Sequence, residues 1–198
     1  MTTFVGIDPD LHCTAIATWD HLHNQPEHAW VVKTPKSKGT QQQSVQLHIA
    51  DLFQGIPLFP RCNDIHFFAV EAQTLQRTGG NIHTRPQDIV VLGNVAGAIL
   101  GILRGRGYHH VEFPAPELWK GGVAKSAMQA RLYQQLGMGY VLHGKGSAAY
   151  AVPERIPHHL SNIKGQEWKH VGDAILLARW AYWQTLPNKG KRRGRTKT

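Results

Sequence analysis

Two carboxylates in this sequence close apolar, strand-like runs: Asp8 ends TFVGID and Glu71 ends DIHFFAVE. A third, Asp173, follows His170 by three residues in KHVGDAILLARW, where one helical turn shows both side chains on the same side. Acids delivered together by strand ends and a packed helix repel one another and raise each other's pKa unless a cation lies between them. Magnesium resolves that conflict, because it takes oxygen ligands, keeps several waters and recruits its remaining ligands from a phosphate. Two such ions about 4 Å apart activate a water and stabilise the leaving oxygen of an in-line phosphodiester hydrolysis. Manganese suits the same hard ligands. Taken singly, each residue has an ordinary reading. Asp8 is a turn former before Pro9, Glu71 a solvated strand end, Asp173 a helix N-terminal carboxylate and His170 one of thirteen histidines. Their combination is what points to chemistry.

The elements that must position these groups are legible from hydrophobic periodicity. Strands are predicted at Thr3 to Asp8, Cys13 to Trp19, His28 to Lys33, Asp64 to Glu71 and His109 to Phe113. Helices are predicted around Val45 to Phe53, from Gln87 to about Arg104, at Glu117 to Lys120, from Ala124 to Leu136 and from Trp168 to about Leu186. Thr34 to Thr40 and Thr74 to Pro86 read as polar loops, and Met138 to Lys164, rich in Gly, His and Pro, as an insertion. Strands first, then strands alternating with helices, describe an α/β layer with a mixed sheet flanked by helices. The long helix carries Gly93, Gly97 and Gly101 at a spacing of four, a face that suits either tight packing on the sheet or self-association.

A chain of 198 residues suits one domain, here 1–187, followed by a basic tail at 188–198. Of the net charge of +9, six positive charges lie in the last ten residues, leaving +3 for the body. The tail, with Lys191, Arg192, Arg193 and Arg195, has nothing apolar to bury and is expected to be disordered, an electrostatic arm for a polyanion. Cys13 and Cys62 form no CxxC site, which fits a reducing cytoplasm rather than a disulfide framework. The start of the chain lacks a signal-peptide layout. The apolar stretch Ile89 to Leu103 is broken by Asn94 and several glycines, and reads as a buried helix too short for a bilayer, which takes about 20 residues.

FVGIDPDLHCTAIATW, FFAVEAQ and HVGDAILLARW, in that order, resemble the RuvC family of Holliday-junction resolvases, as do VLGNVAGAILGIL and LWKGGVAKSAMQARL between them. The resemblance covers most of the chain. It implies a ribonuclease H-like fold, a magnesium-dependent endonuclease with two ions per site, branched DNA as partner, and a homodimer without a membrane. A bacterial or phage-infected cytoplasm follows, with an organellar location left open. Residue by residue, it implies metal-binding roles for Asp8, Glu71 and Asp173, and a fourth site at His170, neutral or engaged in proton transfer. Lys120 and Lys125 match family lysines near the scissile phosphate, where they bind phosphate or stabilise developing charge. Arg77, Arg85 and Arg131, with the tail, are expected along the DNA backbone.

The chain departs from that pattern in two places. GIDPD replaces GIDPG, which sets Asp10 beside the metal turn, and the loop after Glu71 offers Thr74 and Leu75 where the family carries an aromatic wedge. Other readings compete with a junction resolvase: a broader flap or fork endonuclease, a noncatalytic DNA-binding protein of the same fold, and an actin-like ATPase. The last needs a second phosphate loop, for which RTGGN is a poor candidate.

Overall fold

In the computed structural model the described residues are 2–35, 40–59, 66–72, 77–78, 81–82 and 86–187. A five-stranded sheet organises them. Its strands are β1 (Thr3–Asp8), β2 (Cys13–Asp20), β3 (Gln25–Lys33), β4 (His66–Val70) and β7 (His110–Glu112), in the order β3-β2-β1-β4-β7. β1 to β3 form an antiparallel meander, while β4 lies parallel to β1 and β7 parallel to β4. The mixed α/β sheet expected from the sequence is therefore present. β3 begins three residues before its expected start, because Gln25 and Pro26 pair with Asp20 and Trp19 beyond a bulge.

Strand alternation assigns each face of the sheet. Phe4 of β1, Ala15 and Ala17 of β2 and Ala69 of β4 pack with α5 (Trp168–Thr185) and α4 (Lys125–Gln135). Val5, Ile7, Ile16, Phe68 and Val70 point the other way, onto α1 (Gln41–Gly55) and α2 (Pro86–Gly105). By the same period of two, Asp8 continues the row of Phe4 and Gly6, and Glu71 continues that of Phe67 and Ala69. Both acids thus belong to the α5 face. α1 opens on a reciprocal cap in which the Gln43 N–H donates to Thr40 Oγ1 and the Thr40 N–H to Gln43 Oε1.

Two expectations need correcting. The span read as a loop contains a small antiparallel pair, β5 (Arg77–Thr78) with β6 (Asn81–Ile82). Its pairs are too short to leave a periodic signature. The long helix is neither too short for a bilayer nor buried all round: at 20 residues, it is long and apolar enough to span one. Val95, Ile99 and Leu103 are fully buried against the sheet, whereas Gly93, Gly97 and Gly101 are exposed and a Cβ on any of them would meet nothing within 4 Å. The glycine row is therefore not what packs on the sheet.

Residues 138–164 fold against α4 and α5. They form a hairpin of β8 (Val141–His143) and β9 (Tyr150–Val152), followed by a 3-10 turn, His158–Leu160. Met138, Ala151, Leu160 and Ile163 join the core on the α5 side. The short helix α3 (Pro116–Trp119) leads to Lys120. Cys13 is a free thiol, and Cys62 lies outside the described residues.

Candidate metal centre

Asp8 and Glu71 stand side by side because Ile7 of β1 pairs with Val70 of β4, and the Glu71 N–H donates to Ile7 O at 3.0 Å. The third acid arrives from the helix above. At Gly6 the sheet has no side chain, and α5 descends until its Ala174 and Ala178 backbone rests on the glycine. Asp173, one residue before that contact, is lowered onto the strand ends. One carboxylate oxygen from each of Asp8, Glu71 and Asp173 lies within 4.8 Å of the other two, and all three residues are buried.

Each acid has a polar partner. Lys125 Nζ, at the first turn of α4, lies 2.5 Å from Asp173 Oδ2. Lys120 Nζ, just past α3, lies 3.3 Å from Glu71 Oε1. His170 Nδ1 is 2.8 Å from Asp8 Oδ2, while its Nε2 faces Asp10 Oδ2 at 3.6 Å. The imidazole is thus held between two carboxylates of the β1–β2 turn and stands outside the three-acid cluster. Asp10, the departure noted in GIDPD, is turned to the site.

Gln129 is a member that sequence reasoning missed. It is fully buried, donates from Nε2 to Asp173 Oδ1 at 2.9 Å and to Lys169 O at 3.1 Å, and accepts from the Ala151 N–H at 3.0 Å. Its sequence signal is only a glutamine one turn after Lys125, on a helix otherwise read as amphipathic. Gly172 leaves room for it: a Cβ there would stand 2.6 Å from Tyr133 Oη and 2.9 Å from Gln129 Nε2.

Burial raises the pKa of all three acids, since it penalises the charged form. Asp8 is pushed up to about 6, opposed by Lys125 and reinforced by Asp173. Glu71 is pushed up to about 8, with the charge of Asp8 adding to burial and Lys120 opposing it. Asp173 moves up for the same reason, held back by Lys125. Burial disfavours the Lys125 ammonium, but Asp173, Asp8 and Glu71 outweigh it and hold the pKa above the ordinary lysine value. His170 is lowered by burial, with Asp10 opposing and Lys125 and Lys169 adding to the fall. These three oxygen donors, driven toward protonation by burial and, after it, by one another's charge, are a donor set that fits a hard divalent ion. Beside them a cleft of about 480 Å³ runs along His170, His12, Cys13, Lys33 and Lys169.

With this geometry in hand, comparison with solved structures is decisive for the architecture. A Thermus thermophilus RuvC structure, described as "in complex with Holliday junction substrate", superposes with a TM-score of 0.56 at 19% identity, covering 93% of this chain and 96% of that one. The fold is that of RuvC. A second T. thermophilus RuvC structure gives a TM-score of 0.51, also at 19% identity, over 93% of this chain and 98% of RuvC. No protein-family model and no curated protein sequence matches the chain. The ribonuclease H-like expectation is met.

Of the residues expected at a RuvC-like site, Asp8, Glu71, Asp173, His170, Lys120 and Lys125 are brought together. Arg131 is exposed on α4 and forms no ion pair among the described residues. Arg77 lies in β5 with its side chain outside the description. Thr74, Leu75, Arg85, Lys191, Arg192, Arg193 and Arg195 lie outside the described residues altogether.

Proposed function

We propose that this chain is a divalent-metal-dependent endonuclease that cuts Holliday junctions and related branched DNA by phosphodiester hydrolysis. The observation that carries the reading is the convergence of Asp8, Glu71 and Asp173 within 4.8 Å, in a fold shared with a resolvase solved on its junction. A noncatalytic DNA-binding protein has no use for three acids buried together at a cost in pKa, so the enzyme reading is the stronger.

Asp8, Glu71 and Asp173 would hold the ions, magnesium or manganese. Bound there, the ions supply an activated water and neutralise charge on the scissile phosphate. Lys125 holds Asp173 in place and brings a permanent positive charge to the site, suited to a phosphate oxygen. Lys120 does the same from the Glu71 side. Burial disfavours the charged form of His170, with Asp10 opposing, and in its neutral form the tautomer that satisfies Asp8 donates to it from Nδ1. Its Nε2 is then without a proton on the side of Asp10, which suits it to accept one. The basic residues outside the site, Arg77, Arg85, Arg131 and the tail, are assigned to the DNA backbone.

Two incisions across a two-fold junction call for two sites related by that symmetry, so a homodimer belongs to the proposal. The exposed row of Gly93, Gly97 and Gly101 on α2, next to Val90 at 64% exposure, supports it as the face a second copy covers.

The test is cleavage of a labelled four-way junction with magnesium or manganese, in competition with flap, fork and linear duplex DNA. Junction cutting that Asp8→Asn abolishes is expected. Equal cutting of linear duplex, or full activity of Asp8→Asn, overturns the reading, and a preference for flaps or forks replaces it with the broader endonuclease.

A further inference from the structure

The β8–β9 hairpin is unusual in what it leaves exposed. Val141 is 47% and Leu142 57% exposed, and His143 lies in the open beside them. The pairing is Val141 with Val152, Leu142 with Ala151 and His143 with Tyr150. β9 is the inner strand, with Ala151 fully buried, Val152 packed on the core and Tyr150 half-buried, whereas all three residues of β8 are exposed. Across the two strands the His143 and Tyr150 rings stack, 5.6 Å apart and 21° from parallel. From Gly139 to Val152 there is no carboxylate, and the turn carries Lys145, exposed and free of ion pairs among the described residues.

Three hydrogen bonds fix where this hairpin points. At its base, the Met138 N–H donates to Tyr133 O at 2.9 Å and the Arg155 N–H to Met138 O at 2.8 Å. Higher up, the Ala151 N–H donates to Gln129 Oε1 at 3.0 Å. The ladder therefore climbs α4 from Tyr133 to Gln129, toward its N-terminus. Lys125 lies one further step of four residues, about 6 Å, along the same helix. Gln129, which accepts the Ala151 N–H, also donates to Asp173 Oδ1 at 2.9 Å, so β9 is held two hydrogen bonds away from the carboxylate cluster.

We infer that the β8–β9 hairpin is a DNA-contacting arm, which takes an unpaired base of the substrate on the His143–Tyr150 ring pair and a backbone phosphate on Lys145. The inference rests on the branched-DNA reading above. Charge chooses the occupant: Lys145 has no acid near it on the hairpin and calls for an anion, which a second copy of this positively charged chain does not supply on the same face. A stacked ring pair is a platform for any base, since every base has a π-face. Branched DNA offers unpaired bases at its branch point, and the hairpin is tied through Gln129 to Asp173 of the carboxylate cluster.

The full chain carrying Asp8→Asn, to silence cutting, is compared with the same chain carrying His143→Ala and Tyr150→Ala together, or Lys145→Ala. The probes are a four-way junction, a linear duplex and a 20-nucleotide single-stranded oligothymidine. The ring variant is expected to bind the junction and the oligothymidine about tenfold more weakly and the duplex unchanged. Lys145→Ala is expected to lower the slope of log affinity against log salt by about one on all three. The wild-type hairpin is also expected to raise permanganate reactivity of thymines at the branch point, and the ring variant not to. Unchanged affinity for both junction and oligothymidine in the ring variant overturns the inference, as does a change in oligomeric state without one in DNA affinity. Failure of the active wild-type chain to cut any junction overturns the resolvase reading instead, and the oligothymidine comparison still decides whether the hairpin stacks bases.

Discussion

A Cβ placed on Gly6 would stand 2.0 Å from the carbonyl oxygen of Ala174, so β1 and α5 meet backbone to backbone at the point that sets Asp173 over Asp8. Gly6→Ala must push the helix off the strand. Overpacking of this kind costs about 1–3 kcal/mol, and here the displacement falls next to the cluster. A lowered melting temperature and a loss of junction cleavage by about 100-fold, the scale for a misplacement near 1 Å, are expected. Near-wild-type cleavage in a folded Gly6→Ala chain would show that the close approach does not set the site.

Gln129 is expected to hold Asp173 rather than touch substrate. Gln129→Leu fits the space but strands the Ala151 N–H and one Asp173 oxygen, and an unmet buried group costs about 1–3 kcal/mol. Thermal unfolding measures that loss. Gln129→Glu adds a negative charge beside Asp173, and its defect should shrink as added divalent ion rises. If Gln129→Leu unfolds and cleaves as wild type does, the clamp has no function.

Stability of the ion-free protein should fall as pH rises. Asp8 moves from its ordinary 3.8 to about 6 and Glu71 from 4.5 to about 8 on folding. The folded state therefore binds more protons than the unfolded one between these values, and the free energy of unfolding decreases with pH. The stability tied to these protons is complete below about pH 4 and is lost as pH climbs through 6 and then 8. Melting temperatures in a chelator should drop from pH 5 to pH 8.5. Magnesium or manganese, which binds the deprotonated acids, should restore them at pH 8.5 and do little at pH 5. A melting temperature that rises over this range in chelator, or a larger ion effect at pH 5, contradicts the assignment.

The strands, the helices and the acids were legible because each rests on a short-range pattern. Asp8 and Glu71 end strong apolar runs, and His170 and Asp173 share one helical turn. What the sequence hid depends on tertiary distance. Gly6 reads as any glycine in a strand until α5 is laid across it, and Gln129 reads as a polar helix residue until its two ends meet Asp173 and Ala151. The glycine row of α2 left two readings open, and the burial of Val95 and Ile99 on the opposite side decides against sheet packing. Residues 138–164 resisted a reading because their strands have three residues each and their order comes from packing on α4.

Lys125 should act against ion binding while it supports catalysis. Its ammonium lies 2.5 Å from Asp173 Oδ2 on a half-buried side chain, so a divalent ion entering the cluster must share Asp173 with a charge already there. Lys125→Met keeps the length of the side chain and removes the charge. Without it, Asp173 and Asp8 lose the partner that holds their pKa values down, and the ion-free variant should be less stable than wild type at pH 8.5, where protonation cannot compensate. Once the pH is high enough to ionise the acids, the site is more negative, and manganese should bind about three- to tenfold more tightly, a modest share of the roughly 4 kcal/mol that unit charges exchange at close range in a partly screened site. Cleavage should nonetheless fall about 100-fold, because the charge facing the phosphate is gone. Calorimetric titration of manganese into the variant, alongside single-turnover cleavage at saturating ion, separates the two effects. Weaker manganese binding in Lys125→Met would place the lysine in support of the ion rather than in competition with it, and undiminished cleavage would remove it from the chemistry.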